Sequence, residues 1–155
     1  MHELAFDSLS WREAPMPGAG PETMALLPKL PDNAFRAFVR FPAGWSRPDV
    51  GHYAVPEEFL VLEGKLGLNG RIWNAGELAW IPAWTLRRDL QSASGCLVFA
   101  WFGATPRWIP GEPAQAAEGP RNHTRIEGGE LVRLVPDLMR ETLNLDDYTW
   151  RASPP

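Results

Sequence analysis

The sequence predicts an all-β fold, and three observations support this prediction. Gly and Pro are plentiful, with 14 and 16 residues among 155, and both disfavour long helices. About seven or eight short apolar or alternating runs follow one another, with turn signals roughly every eight to twelve residues. Only the stretch 130–145 has the pattern of a fair helix. Together these features are typical of a β-sandwich or a β-barrel.

The bulk properties are those of one soluble globular domain. The length suits a single core, and the hydrophobic content of 45% and charged content of 22% are ordinary. The net charge is −4 and Lys occurs only at Lys29 and Lys65, so no nucleic-acid partner is expected. The single cysteine, Cys96, lies in an apolar run, which indicates a buried and inert thiol in a reducing cytoplasm.

Neither a signal peptide nor a membrane span is expected. The stretch 1–15, MHELAFDSLSWREAP, has early acids and no apolar segment. The longest apolar run, GCLVFAWFGA at 95–104, is about half as long as a membrane-spanning helix. We therefore expect a cytoplasmic protein without a membrane partner.

The first strands follow an irregular N-terminal segment. PMPGAGPE at 15–22 is too rich in Pro and Gly for regular structure, and TMALLPKL at 23–30 predicts a short edge strand. AFRAFVRF at 34–41 alternates, which predicts a strand with Phe35, Ala37, Val39 and Phe41 on one face. The opposite face carries Arg36, Phe38 and Arg40. We expect it to point outward, with the arginines as ordinary surface charge; if it points inward instead, the pocket becomes strongly cationic.

The next four elements carry the clearest signals. EEFLVLEG at 57–64 is apolar on both faces in its middle, as in a strand covered on both sides. Asn69-Gly70 predicts a hairpin with a type I′ turn. ELAWIPAW at 77–84 predicts a strand ended by Pro82, and CLVFAWF at 96–102 predicts the last clear strand.

The remaining residues are expected to pack on the same single domain. We predict an N-terminal arm and edge strand at 1–33, a barrel core at 34–103, and a loop, short helix and tail at 104–155. The stretch 103–129 is Pro/Gly-rich, which indicates a long surface loop or arm.

SWREAP at 10–15 and TWRASP at 149–154 are alike, and chance is the favoured interpretation. The alternatives are that the two ends pack as equivalent edge pieces, or that the chain descends from a longer tandem protein.

Two stretches, GHYAVPEEFLVLEG at 51–64 and NAGELAWIPAWTLRR at 74–88, resemble the two sequence motifs of the cupin superfamily. The matching residues are Gly44, His52, Glu57 and Gly64 for the first motif, and Gly76 and Pro82 for the second. The wider pattern is most similar to single-domain cupins akin to the cupin-like domain of anti-sigma factors. The resemblance implies an RmlC-like double-stranded β-helix, or jelly-roll barrel, here with a short C-terminal helix. It also implies a homodimer, and the outward-facing Leu60 and Leu62 agree weakly because something must cover them.

The departures from the motifs concern the metal ligands. Val50 and Arg87 stand where cupins usually carry two of their four ligands. His52 and Glu57 supply only two donors, whereas zinc or iron in such a barrel requires three or four at about 2.0–2.2 Å. Arg87 stays protonated and has no lone pair to donate. We therefore expect no cofactor, and keep a divalent Zn, Fe or Ni ion on His52 and Glu57 as the minority alternative.

The replacement by arginine suggests a metal-free pocket for a small organic acid. In this hypothesis Arg87 anchors the anion by a two-pronged hydrogen bond, and His52 with Glu57 form the catalytic acid–base pair. The alternative is that Glu57 forms a salt bridge with Arg87 that closes the barrel, while His52 is a half-buried, hydrogen-bonded imidazole. Strand parity predicts that Phe59 and Val61 line the pocket. Further candidates for its wall are Trp80 and, on weaker grounds, Trp84, Phe99 and Trp101.

Three functions remain open at this stage. The first is a cupin that binds a small molecule, either without turnover chemistry or as a metal-independent isomerase or lyase. The second is a metal-dependent dioxygenase acting on a small diketone or aromatic. The third is a non-catalytic ligand-sensing module.

Overall fold

The computed structural model describes residues 2–3, 9–27, 34–114, 121–122 and 148–149. These residues form strands and no helix, so none of them belongs to a helix that could cross a membrane. In chain order the strands are β1 (His2–Glu3), β2 (Trp11–Arg12), β3 (Met24–Leu26), β4 (Phe35–Phe41), β5 (Trp45–Ser46), β6 (Gly51–His52), β7 (Glu57–Leu68), β8 (Arg71–Asn74), β9 (Leu78–Ile81), β10 (Gln91–Ser92), β11 (Cys96–Phe102), β12 (Ile109–Pro110), β13 (Arg121–Asn122) and β14 (Tyr148–Thr149). The predicted all-β class is confirmed, and the predicted helix at 130–145 lies outside the described residues.

A ten-stranded antiparallel sheet organises the chain around β7. Its main path runs β13-β9-β7-β11-β4-β3-β2, with β8 and β10 beside β7 and β5 beside β10. The twelve-residue β7 pairs with β9 and β11 through its first half and with β8 and β10 through its second half. The sheet therefore curls along β7 into the half-barrel of a jelly roll, in agreement with the predicted architecture.

The region predicted as a surface loop or arm, 103–129, contains two strands. Main-chain pairing joins β12 to β6 and β13 to the edge strand β9. These pairings give hydrogen-bond partners to the backbone groups of this region. The sequence pattern alone does not predict which strands they pair with. Of the similar pieces at the two chain ends, 150–154 lies outside the described residues, and the parallel pair β1 and β14 involves residues 2–3 and 148–149.

A bulge and a glycine bend β7 between its two halves. The register with β11 shifts between Leu97 and Val98, and Gly64 has a φ of 75°. A Cβ added at Gly64 would lie 2.1 Å from the carbonyl oxygen of Gly95, so no side chain fits there without a backbone shift. Glycine is needed at position 64 both for its dihedral angle and for the close approach of the next segment.

The hairpin after β7 has the predicted turn. Asn69 and Gly70 have φ values of 53° and 76°, as a type I′ turn requires. The Asn69 amide donates to the carbonyl of Leu86 at 2.8 Å and accepts from the backbone N–H of Arg88 at 2.8 Å. This side chain therefore fixes the backbone on both sides of Arg87.

The sheet buries apolar side chains on both faces. The inner cluster includes Phe59, Val61, Trp73 and Ile81, whereas Phe38, Leu60, Phe99 and Trp101 belong to an outer cluster. Leu9, Trp11 and Leu27 of the N-terminal segment pack against the outer cluster. The chain itself thus buries Leu60, so its outward apolar side chain does not call for a second subunit, and the homodimer stays a prediction.

The alternation predicted for β4 is confirmed, but one expectation about its outward face is wrong. Phe35, Val39 and Phe41 face the inside of the barrel. Arg36 points to the other face, yet it is only 6% exposed, because that face is covered and not solvated. Arg40 places its guanidinium carbon 3.9 Å from the centroid of a Trp11 ring. These arginines are therefore part of a packed layer and not ordinary surface charge.

The single cysteine begins β11 directly opposite Gly64. Cys96 is buried, as predicted, and it is a free thiol. Burial raises the pKa of Cys96 to about 11, which keeps the thiol protonated at neutral pH.

Replacing Gly64 by alanine is expected to destabilise the fold by about 3 kcal/mol or more, since strain at positive φ adds to a backbone clash. Gly70→Ala is the matched control, because Gly70 has almost the same φ but nothing within 4 Å of an added Cβ. It should cost only about 1 kcal/mol. Urea unfolding monitored by Trp fluorescence measures both values. Equal losses in the two variants would contradict the role given to the Gly95 carbonyl.

Glu58 is expected to make stability fall as the pH rises. Its carboxyl is buried on the outer face, opposite Trp80 and Trp101, and burial raises its pKa from 4.5 to about 7. Between these values the unfolded chain releases a proton that the folded protein retains, so stability declines across this window and stays lower above it. Glu58→Gln should therefore gain about 1–2 kcal/mol relative to the parent between pH 5 and pH 8, a figure reduced for partial solvent screening. Unfolding curves at pH 5, 6, 7 and 8 test this, and parallel pH profiles for the two proteins would refute it.

Candidate ligand cavity of the barrel

The barrel encloses a small and mostly apolar cavity of about 90 Å³. Apolar side chains from β3, β4, β7 and β11 make up much of its wall. Residues 14–16 line it from the N-terminal segment, which is held by a 2.9 Å hydrogen bond from the Trp45 indole to the carbonyl of Pro17. Four polar side chains also line the cavity. They are Arg47, Tyr53, Glu57 and Arg87.

A buried ion pair joins two of these polar residues. Glu57 is the first residue of β7, and its Oε1 accepts a hydrogen bond from Nη1 of Arg87. The Arg87 backbone is fixed by reciprocal hydrogen bonds with Gly51, of 2.7 and 3.2 Å. Burial raises the pKa of Glu57, and the charge of Arg87 opposes part of that rise. The salt bridge that the sequence left open as an alternative is therefore present.

The rest of the Arg87 guanidinium has no hydrogen-bond partner among the described residues. Arg87 is 5% exposed, and its Nε and Nη2 atoms are buried without an acceptor. Its guanidinium carbon lies over the Tyr53 ring, 4.6 Å from the ring centroid, in a cation–π contact. Burial raises the pKa of Tyr53, which keeps the phenol neutral. Nε and Nη2 form one edge of the planar group, which is the shape that matches the two oxygen atoms of a carboxylate.

A second arginine of the cavity was not predicted from the sequence. Arg47 follows β5, donates its backbone N–H to Leu90 at 2.9 Å and is also 5% exposed. Its guanidinium carbon lies 3.9 Å from the centroid of a Trp108 ring, and its Nε has no hydrogen-bond partner among the described residues. Strand alternation could have predicted this position. Trp45 belongs to the inner cluster, and residue 47 lies on the same face because it follows Trp45 by two positions.

His52 does not line the cavity. It is buried, its Nδ1 is 2.9 Å from the carbonyl oxygen of Gly111, and its ring lies 5.7 Å from that of Trp84. The reason is strand parity: Gly51 is bridged to Arg87, so the next residue points away from the side that Arg87 occupies. The structure thus keeps His52 out of the cavity that Glu57 and Arg87 share.

The predicted wall is found only in part. Phe59 lines the cavity, and Val61 belongs to the same inner cluster without lining it. Trp80 and Trp101 lie on the outer face, since each pairs with Glu58 and therefore shares its side of the sheet. On β11 the side chains that face inward are those of Val98, Ala100 and Phe102. Phe99 and Trp101, which were expected to face inward, are each one residue away and therefore face outward.

Solved structures with a similar fold include a cupin, a dioxygenase and a chain of an anti-sigma complex. An RmlC-like cupin protein from Ralstonia eutropha JMP134 aligns over 97% of this chain and 90% of its own, with a TM-score of 0.55 and 12% identity. An acetylacetone dioxygenase from Acinetobacter johnsonii aligns over 71% of this chain and 84% of its own, with a TM-score of 0.52 and 17% identity. A chain of the Rhodobacter sphaeroides complex of SigE with the anti-sigma ChrR aligns over 63% of this chain and 51% of its own, with a TM-score of 0.50 and 22% identity.

The jelly-roll topology and these likenesses define the class: the chain has the cupin fold. Neither a protein-family model nor a curated protein sequence matches it. The solved structures differ in length, so this chain spans 39% of a matched chain from Nostoc punctiforme and 90% of the Ralstonia protein. At 12–22% identity these likenesses establish the fold alone.

The residues at the usual cupin ligand positions do not fit a metal ion. Val50 offers no donor and is 41% exposed, and Arg87 brings a positive charge into the site. Glu57 already accepts from Arg87, and His52 is turned toward Gly111. Within residues 9–27 and 34–114, moreover, no three His, Cys, Asp or Glu side chains come together as a metal centre requires.

The Glu57–Arg87 pair can be tested by a double-mutant cycle. Glu57→Leu and Arg87→Leu are each expected to destabilise the protein by about 3–5 kcal/mol, because each leaves a buried charge without its partner. The double variant should lie within about 2 kcal/mol of the parent, since no charge of the pair is then left uncompensated. Arg88→Leu is the control, since the Arg88 side chain is well exposed. Additive losses in a urea-unfolding cycle would show that the two residues are not energetically coupled.

Proposed function

We propose that the chain binds a short-chain organic acid in the barrel cavity, with the carboxylate held by Arg87. The observation that carries this proposal is the buried Nε and Nη2 edge of Arg87, which lacks a partner among the described residues. Leaving buried charged donors unsatisfied is costly, and a carboxylate would satisfy both atoms. Glu57 occupies only Nη1, so the ion pair and the ligand do not compete for the same nitrogen.

The size and lining of the cavity support an acid of a few carbon atoms. Its volume of about 90 Å³ is smaller than the roughly 150 Å³ apolar cavity that admits benzene. Most of the wall is apolar, which suits an aliphatic tail. Propionate and butyrate are representatives of this class.

Binding is supported more directly than turnover. A general base must lie within hydrogen-bond reach of the proton that it removes, and His52 lies outside the cavity. Glu57 lines the cavity but is engaged with Arg87. A ligand-sensing module needs only the pocket, whereas an isomerase or lyase would need a base that faces the ligand.

A metal-dependent dioxygenase is the alternative, and its support is the fold shared with the Acinetobacter enzyme. It would require a metal on His52 and Glu57 with ligands from elsewhere. Elemental analysis of protein purified without chelators separates the two proposals. Zinc, iron or nickel at one equivalent, lost in His52→Ala, would favour the dioxygenase, and no stoichiometric metal would favour the metal-free pocket.

Isothermal titration calorimetry with sodium propionate tests the proposal. The parent protein should bind propionate but not propionamide, which has a similar shape and no charge. Arg87→Met should weaken binding by about 10- to 100-fold, the value of one or two charge-assisted hydrogen bonds. Arg88→Met, a change at the exposed neighbouring arginine, should leave the affinity unchanged.

A second variant keeps the test valid if Arg87→Met folds poorly. Ala100→Val adds two methyl groups to the inner wall of the cavity and leaves the ion pair in place. Because these methyl groups reduce the cavity volume, the variant should also abolish propionate binding. Circular dichroism checks that each variant is folded. Failure of the parent to bind any of acetate, propionate and butyrate would refute the proposal, as would binding that neither variant affects.

A further inference from the structure

Arg47 is a buried charge for which the described residues provide no counter-ion. Its side chain is almost fully buried on the cavity wall, and its Nε has no hydrogen-bond partner among the described residues. The acid two residues later, Asp49, instead accepts from the indole N–H of Trp108 at 3.1 Å. A buried guanidinium in this position carries a large desolvation cost unless an anion approaches it.

The two cavity arginines are held by one continuous set of aromatic rings. Arg47 stacks on Trp108 at 3.9 Å, Trp108 meets Tyr53 edge-to-face at 5.4 Å, and Arg87 stacks on Tyr53 at 4.6 Å. Cation–π contact uses the flat face of a guanidinium and leaves the N–H groups at its edge free to donate in the plane. The rings thus contact both guanidinium groups, while Nε of Arg47 and both Nε and Nη2 of Arg87 have no hydrogen-bond partner among the described residues.

The net charge of the cavity wall limits the number of negative charges that a ligand of the two arginines can carry. Arg47 and Arg87 contribute two positive charges, the Glu57 carboxylate that pairs with Arg87 contributes one negative charge, and Tyr53 is neutral, which leaves one positive charge to be matched. The remainder of the wall is mostly apolar, from side chains such as those of Met16, Phe35 and Leu66. A second ionised group on the ligand would have no counter-charge and would be desolvated against this wall.

We infer that Arg47 is a second ligand-binding residue of the cavity and that the ligand is a monocarboxylate with an apolar tail, not a diacid. This inference rests on the proposed function, because it assigns the ligand class and a further residue to the same cavity. The carboxylate is held by Arg87 and drawn to Arg47, and the apolar tail lies against the aliphatic and aromatic wall.

Calorimetry of the full chain with propionate and with malonate tests the inference. Malonate has a similar carbon count and carries a second carboxylate, so it should bind at least about 10-fold more weakly than propionate. Arg47→Met should weaken propionate binding by about 10-fold or more, whereas Arg47→Lys should recover part of the affinity. The control is Arg107→Met, since Arg107 is exposed next to Trp108.

A direct readout distinguishes contact with the ligand from a structural role. In proton–nitrogen NMR spectra, the Nε–H resonance of Arg47, assigned by its loss in Arg47→Met, should shift on addition of propionate and stay in place on addition of propionamide. If the parent binds propionate but Arg47→Met binds it equally well, or the resonance does not move, Arg47 is not a ligand-binding residue. If malonate binds as tightly as propionate, the monoanion assignment is wrong. If the parent binds no acid at all, the proposed function itself fails.

Discussion

The buried contact between Glu57 and Arg87 is the interaction on which the rest of the site depends. Glu57 opens the longest strand of the barrel, and Arg87 lies in the segment after β9 that bridges back to Gly51. The pair therefore joins parts of the chain that no continuous ladder connects at this point. It also decides which nitrogen atoms of Arg87 remain available, because Nη1 is used and the Nε–Nη2 edge is not. The proposed binding of a carboxylate depends on these two nitrogen atoms being available.

Two positive side chains share this cavity because each guanidinium group contacts an aromatic ring, and only Arg87 is also paired with a carboxylate, that of Glu57. A second carboxylate on the wall would neutralise the site, and the guanidinium groups would then pair internally. Stacking on Tyr53 and Trp108 costs none of the in-plane donors. The arrangement fixes the arginines in position while a net charge is kept inside the barrel. The same positive charge opposes the binding of a dication beside these residues.

Features that depend on local sequence were predictable, and features that depend on register were not. The alternation of β4, the Asn69-Gly70 turn and the end of β9 before Pro82 each arise from a few neighbouring residues. The faces of Trp80 and Trp101 depend on which residue pairs with Glu58, and a bulge shifts that register within the β7–β11 ladder. The side on which His52 lies depends on register in the same way, since it follows from the bridge between Gly51 and Arg87. Arg47 was overlooked because a two-residue strand gives too short a pattern to read with assurance.

Because of its position, Cys96 can report on local opening of the sheet at β11. The thiol is the sole one in the sequence, it is covered at the start of a central strand, and it remains protonated at neutral pH. An alkylating reagent in solution is therefore expected to react mainly when β11 separates from its neighbours. The rate of labelling would measure how often β11 opens. A slower rate in the presence of an organic acid would show that the acid occupies the barrel, without any spectroscopic probe.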